Sequence, residues 1–420
     1  MTVNLPTLNI EHLHGPEEIP YGEAELLVLC LVRDGRPWIK AFVEHYSALG
    51  AKHIVFLDND SSDGTVAAAS RYDNVTVLQT KLPFKDGQLL MRQYLIARFG
   101  KDRWSLCVDI DELFDYPYSD VIGLGSLLGY LDSKSYTAVA AYMLDMIPNK
   151  PLAGRTDEPE ELSKEQHTFY DLSGLRRRSI KEHPHFSGNR LESNEIEWIR
   201  GGIRDTLFRV APTLTKFPLV FSNGRVMPME GSPHGVANAR IADLSCVLFH
   251  YKFLSYFREQ VARAVREENY WNNSAQYKQY LAVLGRNTSL TLKQDTSKEI
   301  ASVNDLLEDQ FLVVSDAYVR WVNIEEERSV LGEAQSGEPH VPAEAFLRAN
   351  QRDRAKTLRI QRLERQLRDR NRRIRRSKRK QQRLKLRVRS LKQRLKGMEA
   401  SRVWKLAGVM RGITARMWGS

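Results

Sequence analysis

The segment Trp104-Ser105-Leu106-Cys107-Val108-Asp109-Ile110-Asp111-Glu112-Leu113-Phe114 runs a short apolar stretch into three carboxylates. Its first half suits a strand buried on both faces of a parallel sheet. Two carboxylates one residue apart at such a strand end project toward the same side and can meet one cation. A hard divalent ion takes oxygen ligands and keeps positions for phosphate, so Mg²⁺ or Mn²⁺ bridging a diphosphate is the guest this pattern suits. Asp-x-Asp alone is equally a solvated turn. Its place after the fourth apolar strand in chain order favours the site.

Working outward from that segment, three more apolar runs precede it. Glu25 to Val32 predicts the first strand, His53 to Leu57 the second and Val75 to Gln79 the third. Between them, Trp38, Phe42, Tyr46 and Leu49 recur near helical spacing from Pro37, with Gly50 as a stop. Helices are also predicted from Thr65 to Arg71 and from Gly87 to Phe99. Strand and helix alternate, the signature of a doubly wound α/β sheet, whose ligands collect at the carboxyl ends of the strands. There lies a second acidic cluster, Asp58-Asn59-Asp60-Ser61-Ser62-Asp63-Gly64-Thr65. It reads either as a strand-to-helix turn made of turn and capping residues or as a loop whose side chains accept from a bound nucleotide.

Downstream, residues 148 to 199 are polar and proline-bearing, and read as loops and short elements on the acceptor side. Strand-like stretches return at Thr206 to Val210, Leu219 to Phe221 and Leu244 to Phe249. Helices follow at about Tyr256 to Glu268 and Asn304 to Val322. The predicted organisation is a lead-in (1–24), an α/β domain (25–324), a Gly-, Ser- and Pro-rich linker (325–350), a basic coiled coil (351–396) and an amphipathic tail helix (397–420).

Charge divides the same way. Arg352 to Lys396 holds 22 Lys or Arg against 3 Asp or Glu, so residues 1–351 carry about −11 although the whole chain is +11. The basic balance belongs to the tail, and the globular part does not read as a nucleic-acid binder. Cys30, Cys107 and Cys246 are widely spaced inside apolar runs and read as buried thiols. No basic segment followed by an apolar core opens the sequence, and no stretch reaches about 18 apolar residues. The expected location is the cytoplasm, at most peripheral on the inner face of the cell membrane.

Several segments, in order, resemble one family. Leu31-Val32-Arg33-Asp34-Gly35, Phe42-Val43-Glu44-His45-Tyr46, Leu49-Gly50, the Asp58–Thr65 cluster and Val108-Asp109-Ile110-Asp111-Glu112-Leu113-Phe114 are similar to the family-2-like bacterial glycosyltransferases of the GT-A fold. Gly201-Gly202-Ile203-Arg204, Lys216-Phe217-Pro218-Leu219 and His250-Tyr251-Lys252-Phe253 resemble that family's later segments. The likeness covers about residues 25 to 265. It implies a Rossmann-like, mostly parallel sheet, a nucleotide-sugar donor, Mn²⁺ or Mg²⁺, and a glycan or lipid-linked acceptor. It implies further that Asp58 binds the nucleobase, Asp109 the ribose or the metal through water, and Asp111 the metal. Arg33, Asn59, Asp63 and Arg92 complete the set expected at the donor. A late histidine is expected as a further metal ligand, His250 ahead of His234, while His183 and His185 are expected on the surface. Inverting transfer requires a carboxylate to take the acceptor's proton. Asp205 is the first candidate and Glu230 the second. Asp34-Gly35 stands where the family has Asn-Glu.

Three other classes compete with that reading. A nucleic-acid binder would interleave aromatics with its basic run, and none lies between Arg352 and Lys396. A nucleotidyltransferase would carry a Gly-rich phosphate loop after its first strand, where Arg33-Asp34-Gly35-Arg36-Pro37 has one glycine. A scaffold with a degenerate domain would have no need of Asp109, Asp111 and Glu112.

In the tail, Ile360, Leu367, Ile374, Gln381, Val388 and Leu395 at a positions, with Leu363, Arg370, Ser377, Leu384 and Leu391 at d, form a seam for self-association. Beyond it Val403, Leu406, Ala407, Met410, Ile413, Met417 and Trp418 share one helical arc, with Lys405 and Arg416 opposite, suited to an anionic membrane surface. A chain ended near Gly332 should therefore lose both self-association and attachment to anionic vesicles. Basic residues near an anionic surface contribute roughly 1 kcal/mol each. Flotation of the full and shortened chains with anionic and neutral liposomes reads this directly, and equal flotation would remove the tail as an anchor.

Overall fold

The computed structural model describes residues 9–152, 161–186, 188–268, 271–287 and 289–336. The expected coiled coil and tail helix lie outside the described residues. Strands β1 (Glu11–His14), β2 (Leu27–Val32), β3 (His53–Asp58), β4 (Val75–Gln79), β5 (Trp104–Asp109), β6 (Glu112–Asp115) and β7 (Ala138–Asp145) are joined later by Thr215–Phe221, Arg240–His250 and Arg190–Leu191. All enter one sheet in the order β1, β4, β3, β2, β5, Thr215–Phe221, β7, Arg240–His250, Arg190–Leu191, with β6 laid on Arg240–His250. β4, β3, β2 and β5 are mutually parallel, and β7 is parallel to Arg240–His250. Thr215–Phe221 runs antiparallel to both its neighbours. The sheet is thus mostly parallel, as expected, with three reversed strands: one beside β5, β1 at the edge, and β6 on Arg240–His250. β1 makes the predicted lead-in part of the sheet.

Both faces are covered, which is why the strands read as unbroken apolar runs. Val28, Cys30, Val32, Ile54 and Phe56 pack on one face with Trp38, Phe42 and Tyr46 of α1 (Arg36–Leu49). Between α1 and the next helix of the chain's second half lie α2 (Thr65–Ala69), α3 (Phe84–Phe99) and α4 (Leu124–Ser133). Leu27, Leu29, Leu31, Val55 and Leu57 face the other way, onto Met91, Leu95, Ile96 and Phe99 of α3. Gly50 ends α1 at φ 95°, a left-handed position that suits glycine, while the Ala51 N–H returns to the Tyr46 carbonyl. The three cysteines are free and buried.

Elsewhere the structure differs from the sequence reading. Thr206 to Val210, expected as strand, lies largely in α5 (Ile203–Phe208), because Ile203, Leu207 and Phe208 share a helical stripe. α6 (Phe257–Glu267) agrees with its expected bounds, and α7 (Trp271–Arg286) was not foreseen. The expected helix from Asn304 breaks at Gln310, which has φ 60°, into α8 (Asp305–Glu308) and α9 (Asp316–Ser336). α9 continues through Glu325, so residues 325–336 are helical where a linker was expected. The polar stretch before residue 199 contains a two-stranded ribbon, Leu175–Ser179 against Glu197–Gly201. No helix among the described residues is long and apolar enough to cross a membrane.

Two of the motifs turn out to be one structural unit. The Tyr46 hydroxyl donates to the Glu112 carbonyl at 2.9 Å and accepts from the Phe114 N–H at 2.9 Å. His45, whose pKa burial lowers to about 4, is neutral and donates its Nε2–H to the Phe114 carbonyl at 2.7 Å. The ring pair thereby fixes the backbone that follows Asp111. Tyr46→Phe would strand a buried N–H and a buried carbonyl, each costing about 1–3 kcal/mol. The variant is expected to lower the urea midpoint accordingly, with an unchanged slope, and an unchanged midpoint would show that this tie is dispensable.

Candidate functional site

Chain order in the sheet reverses between β2 and β5, and at such a switch point the carboxyl ends of the strands open a crevice. The crevice here has a volume of about 350 Å³. Arg33, Asp34, Arg92, Asp109, Asp111, Glu112, Arg204, Lys216, His234, His250 and Lys252 are all on its wall. α6 contributes Gln260, Arg263 and Ala264, and α7 contributes Gln276 and Tyr277.

Its floor is a buried cluster of charges. Asp109, last residue of β5, accepts from Arg92 Nη2 of α3 at 2.5 Å and from Lys216 Nζ at 2.8 Å, one oxygen each. The same ammonium reaches Glu112 Oε1 at 2.5 Å. Burial works against the Asp109 charge, but Lys216 and Arg92 outweigh it and hold the carboxyl well below its usual range. Lys216 comes from the second position of the reversed strand, which places it beside the end of β5. Asp109, with both oxygens engaged by cations, is a poor direct metal ligand.

Asp111 is placed differently. Its Oδ2 lies 3.2 Å from His250 Nε2, while His250 Nδ1 lies 2.6 Å from Asp145 Oδ1 at the end of β7. Arg204 Nε donates to the other Asp145 oxygen at 2.8 Å. Burial opposes ionisation of Asp111, yet His250 keeps its pKa down at about 2. Burial likewise opposes the His250 charge, and Asp111 and Asp145 raise it overall. A carboxylate on Nδ1–H sets the tautomer that leaves Nε2 available to a cation, the arrangement common behind metal-binding histidines. Among the described residues there is no group of three or more His, Cys, Asp or Glu able to enclose a metal ion. Two protein donors with an otherwise open sphere suit an oxygen-loving ion completed by phosphate and water. Between the two expected histidines, geometry favours His250. His234 also lines the cleft, and its Nδ1–H on the Thr215 carbonyl at 3.3 Å likewise leaves Nε2 open, but no carboxylate stands within ion-pair distance of it among the described residues as Asp111 does for His250. Burial and Lys216 lower its pKa to about 3, so it is neutral.

The Asp58–Thr65 loop serves mostly as scaffold. Asp63 accepts from the Arg36 N–H at 3.0 Å and the Thr65 N–H at 3.0 Å, and Thr65 Oγ1 accepts from the Gly35 N–H at 2.8 Å. These groups satisfy the first turns of α1 and α2. Asp63, expected at the donor, is therefore a capping residue outside the cleft wall. Gly35 is required where it stands, since a Cβ there would meet Val32 at 2.4 Å. Asp34 supplies the carboxylate of this loop: Oδ1 accepts from the Ser62 N–H at 3.0 Å and Oδ2 pairs with Arg263 at 3.1 Å. Asp58 and Asn59 are buried at the end of β3. Asp58 Oδ2 accepts from Ser61 and Gln79, and Asn59 Nδ2 donates to the Thr80 and Leu82 carbonyls. Asp58 Oδ1 and Asn59 Oδ1 are buried acceptors with no hydrogen-bond partner among the described residues.

Neither expected proton acceptor lines the cleft. Asp205 pairs with Arg176 of the ribbon at 2.5 Å, and Glu230 stands partly buried outside the wall. His183, expected on the surface, is buried, with Nδ1 accepting the His185 N–H at 3.1 Å. Asp145, Lys252 and Arg263 were missed. Ala138 to Asp145 is an apolar run ending in Asp, the same signal that marks β5, and could have disclosed Asp145.

No family model matches the chain, and no curated protein matches it. Among solved structures, UTP-bound UGPase from Acinetobacter baumannii is similar over 73% of this chain and 98% of its own, at 9% identity and a TM-score of 0.19. A likeness of that size carries no argument about this protein.

Acid should expose the charge cluster. Asp109 and Asp111 are both lowered in the folded chain, so their contribution to stability is present above about pH 4, the unfolded carboxylate range, and is lost as pH falls toward about 2. Urea midpoints measured from pH 5 downward are expected to drop, and to drop less steeply for Asp111→Asn. Identical profiles for the two proteins would show that His250 does not hold the Asp111 charge.

Proposed function

We propose that this chain is a metal-dependent, inverting glycosyltransferase of the GT-A type. It moves a sugar from a nucleotide-sugar donor to a glycan or lipid-linked acceptor in cell-surface polysaccharide synthesis. The observation that carries the reading is the Asp111–His250 pair, backed by Asp145, at the carboxyl ends of the strands beside the switch point. When bound there, Mn²⁺ or Mg²⁺ would supply Lewis-acid stabilisation of the charge on the departing nucleoside diphosphate.

The remaining work falls to the chain's own side chains. Asp145 orients the His250 ring, and Arg204 in turn holds Asp145. Asp109, committed to Arg92 and Lys216, fits a ribose hydroxyl or a water. Asp58 and Asn59, expected at the donor, are buried at the end of β3 and are not on the cleft wall, so their unmet Oδ1 acceptors are closed to a ligand in this conformation. α6 and α7 wall the cleft on the side away from the sheet, limiting water at the reacting bond. Peripheral contact with an anionic membrane surface through the basic tail belongs to the same reading.

A panel of nucleotide-sugars and nucleoside diphosphates, scored for thermal stabilisation with and without Mn²⁺, tests it. Stabilisation by at least one base, dependent on metal and abolished in folded Asp111→Asn, is the expected result. Metal-independent stabilisation, or an unaffected Asp111→Asn protein, would remove the metal assignment. Loss of a general base typically costs about 10²- to 10⁴-fold in rate. With Asp205 held by Arg176, Asp205→Asn is expected to lose less than that, and a loss within that range would restore Asp205 as the proton acceptor.

A further inference from the structure

Lys252 stands two residues beyond the Arg240–His250 strand and lines the cleft. The other cations on that wall, exposed Arg33 apart, are each committed to a carboxylate: Arg92 and Lys216 to Asp109, Arg204 to Asp145, Arg263 to Asp34. Lys252 has no carboxylate within ion-pair distance among the described residues. Its ammonium sits against aromatic rings, with the centroids of Tyr277, Phe257 and Tyr280 at 5.1, 6.0 and 6.0 Å. Nζ donates to the Tyr277 hydroxyl at 3.4 Å.

Those surroundings decide what the lysine can do. A carboxylate partner neutralises an ammonium and must be displaced before an anion can bind. Ring faces attract the same charge through their quadrupole and add no negative charge of their own, so that Asp111 acts on this ammonium only from beyond ion-pair distance. An ammonium has three donors, and this one spends a single long bond on Tyr277. The cradle also holds the four-carbon stem in place, which removes part of the entropy cost of ordering it on a ligand. Its neighbour two residues back, His250, faces Asp111, so an anion reaching a cation at that pair arrives beside Lys252.

We propose that Lys252 is the anion-binding residue of this cleft and takes a phosphoryl group, the terminal phosphate of the donor's diphosphate. The inference rests on the nucleotide-sugar reading above. The phosphate of a lipid-linked acceptor offers the same chemistry, and the test separates the two sources.

Calorimetry of the full chain with UDP, GDP, ADP and CDP in Mn²⁺ identifies a nucleoside diphosphate bound by the wild type. Its affinity is then compared with that of the matching monophosphate and of geranyl phosphate. Lys252→Met and Lys252→Gln are made in parallel so that one folded variant suffices. A charge-assisted hydrogen bond contributes about 1.5–3 kcal/mol, so diphosphate binding should weaken roughly 10- to 150-fold. Monophosphate binding should change by less than about threefold, and Lys252→Arg should restore most of the diphosphate affinity. Unchanged diphosphate binding, or equal losses for mono- and diphosphate, overturns the inference while leaving the nucleotide-sugar reading intact. A loss confined to geranyl phosphate overturns the placement on the donor. Absence of any nucleoside diphosphate binding by the wild type overturns both.

Discussion

The Asp109 carboxylate, divided between Arg92 and Lys216, is the interaction on which the arrangement of this cleft depends. It joins β5, α3 and the reversed Thr215–Phe221 strand at one point, and Glu112 shares the lysine. The four charges sum to zero, with Arg92, Lys216 and Glu112 withdrawn from water and Asp109 partly exposed to the cleft. Removing one member of such a group leaves a buried charge without compensation, at a cost of about 3–5 kcal/mol. The direction of the Thr215–Phe221 strand follows from the same requirement. Because it runs antiparallel to β5, its early residue Lys216 lies at the carboxyl end of β5, where the carboxylates are. A parallel strand in that place would bring its last residues there instead.

The second charge group is built on the same principle with a different outcome. Arg204 satisfies one Asp145 oxygen and His250 the other, so the imidazole is held by a carboxylate that has no freedom to turn. Asp111 then meets the remaining ring nitrogen. Where Asp109 is engaged by two cations of the fold, Asp111 is opposed by a single histidine nitrogen. Neighbouring carboxylates on one strand end thus receive unlike environments, two cations of the fold for Asp109 and one imidazole for Asp111. Lys252 differs again: its ammonium rests against the faces of Phe257, Tyr277 and Tyr280.

Motif residues divide in a comparable way between site and scaffold. His45 and Tyr46 hold the backbone after Asp111, and Asp63 with Thr65 cap α1 and α2. Their spacing marks the chain as strongly as Asp109 and Asp111 do, although none of them lines the cleft. A loop whose backbone N–H groups must be satisfied by side chains from another loop restricts residue type as firmly as a ligand does.

The alternation of apolar strands and helices from Glu25 to Asp111 was legible in the sequence because local periodicity and buried-strand composition are properties of neighbouring residues. The same holds for the two acidic clusters, the stop at Gly50, the buried cysteines and the division of charge between the globular part and the tail. β7, α4 and α7 were not read, and the stretch around Thr206 was read as strand, because short apolar segments serve helix and strand alike until packing decides between them. Which carboxylate meets two cations and which a single imidazole could not be read at all. Asp109 meets Lys216, and His250 meets Asp145, across more than 100 residues of chain. The same side chains in the same order would behave otherwise if the strand carrying Lys216 ran the other way. Charge pairing depends on distance in space, and only the closed sheet brings these groups within reach of one another.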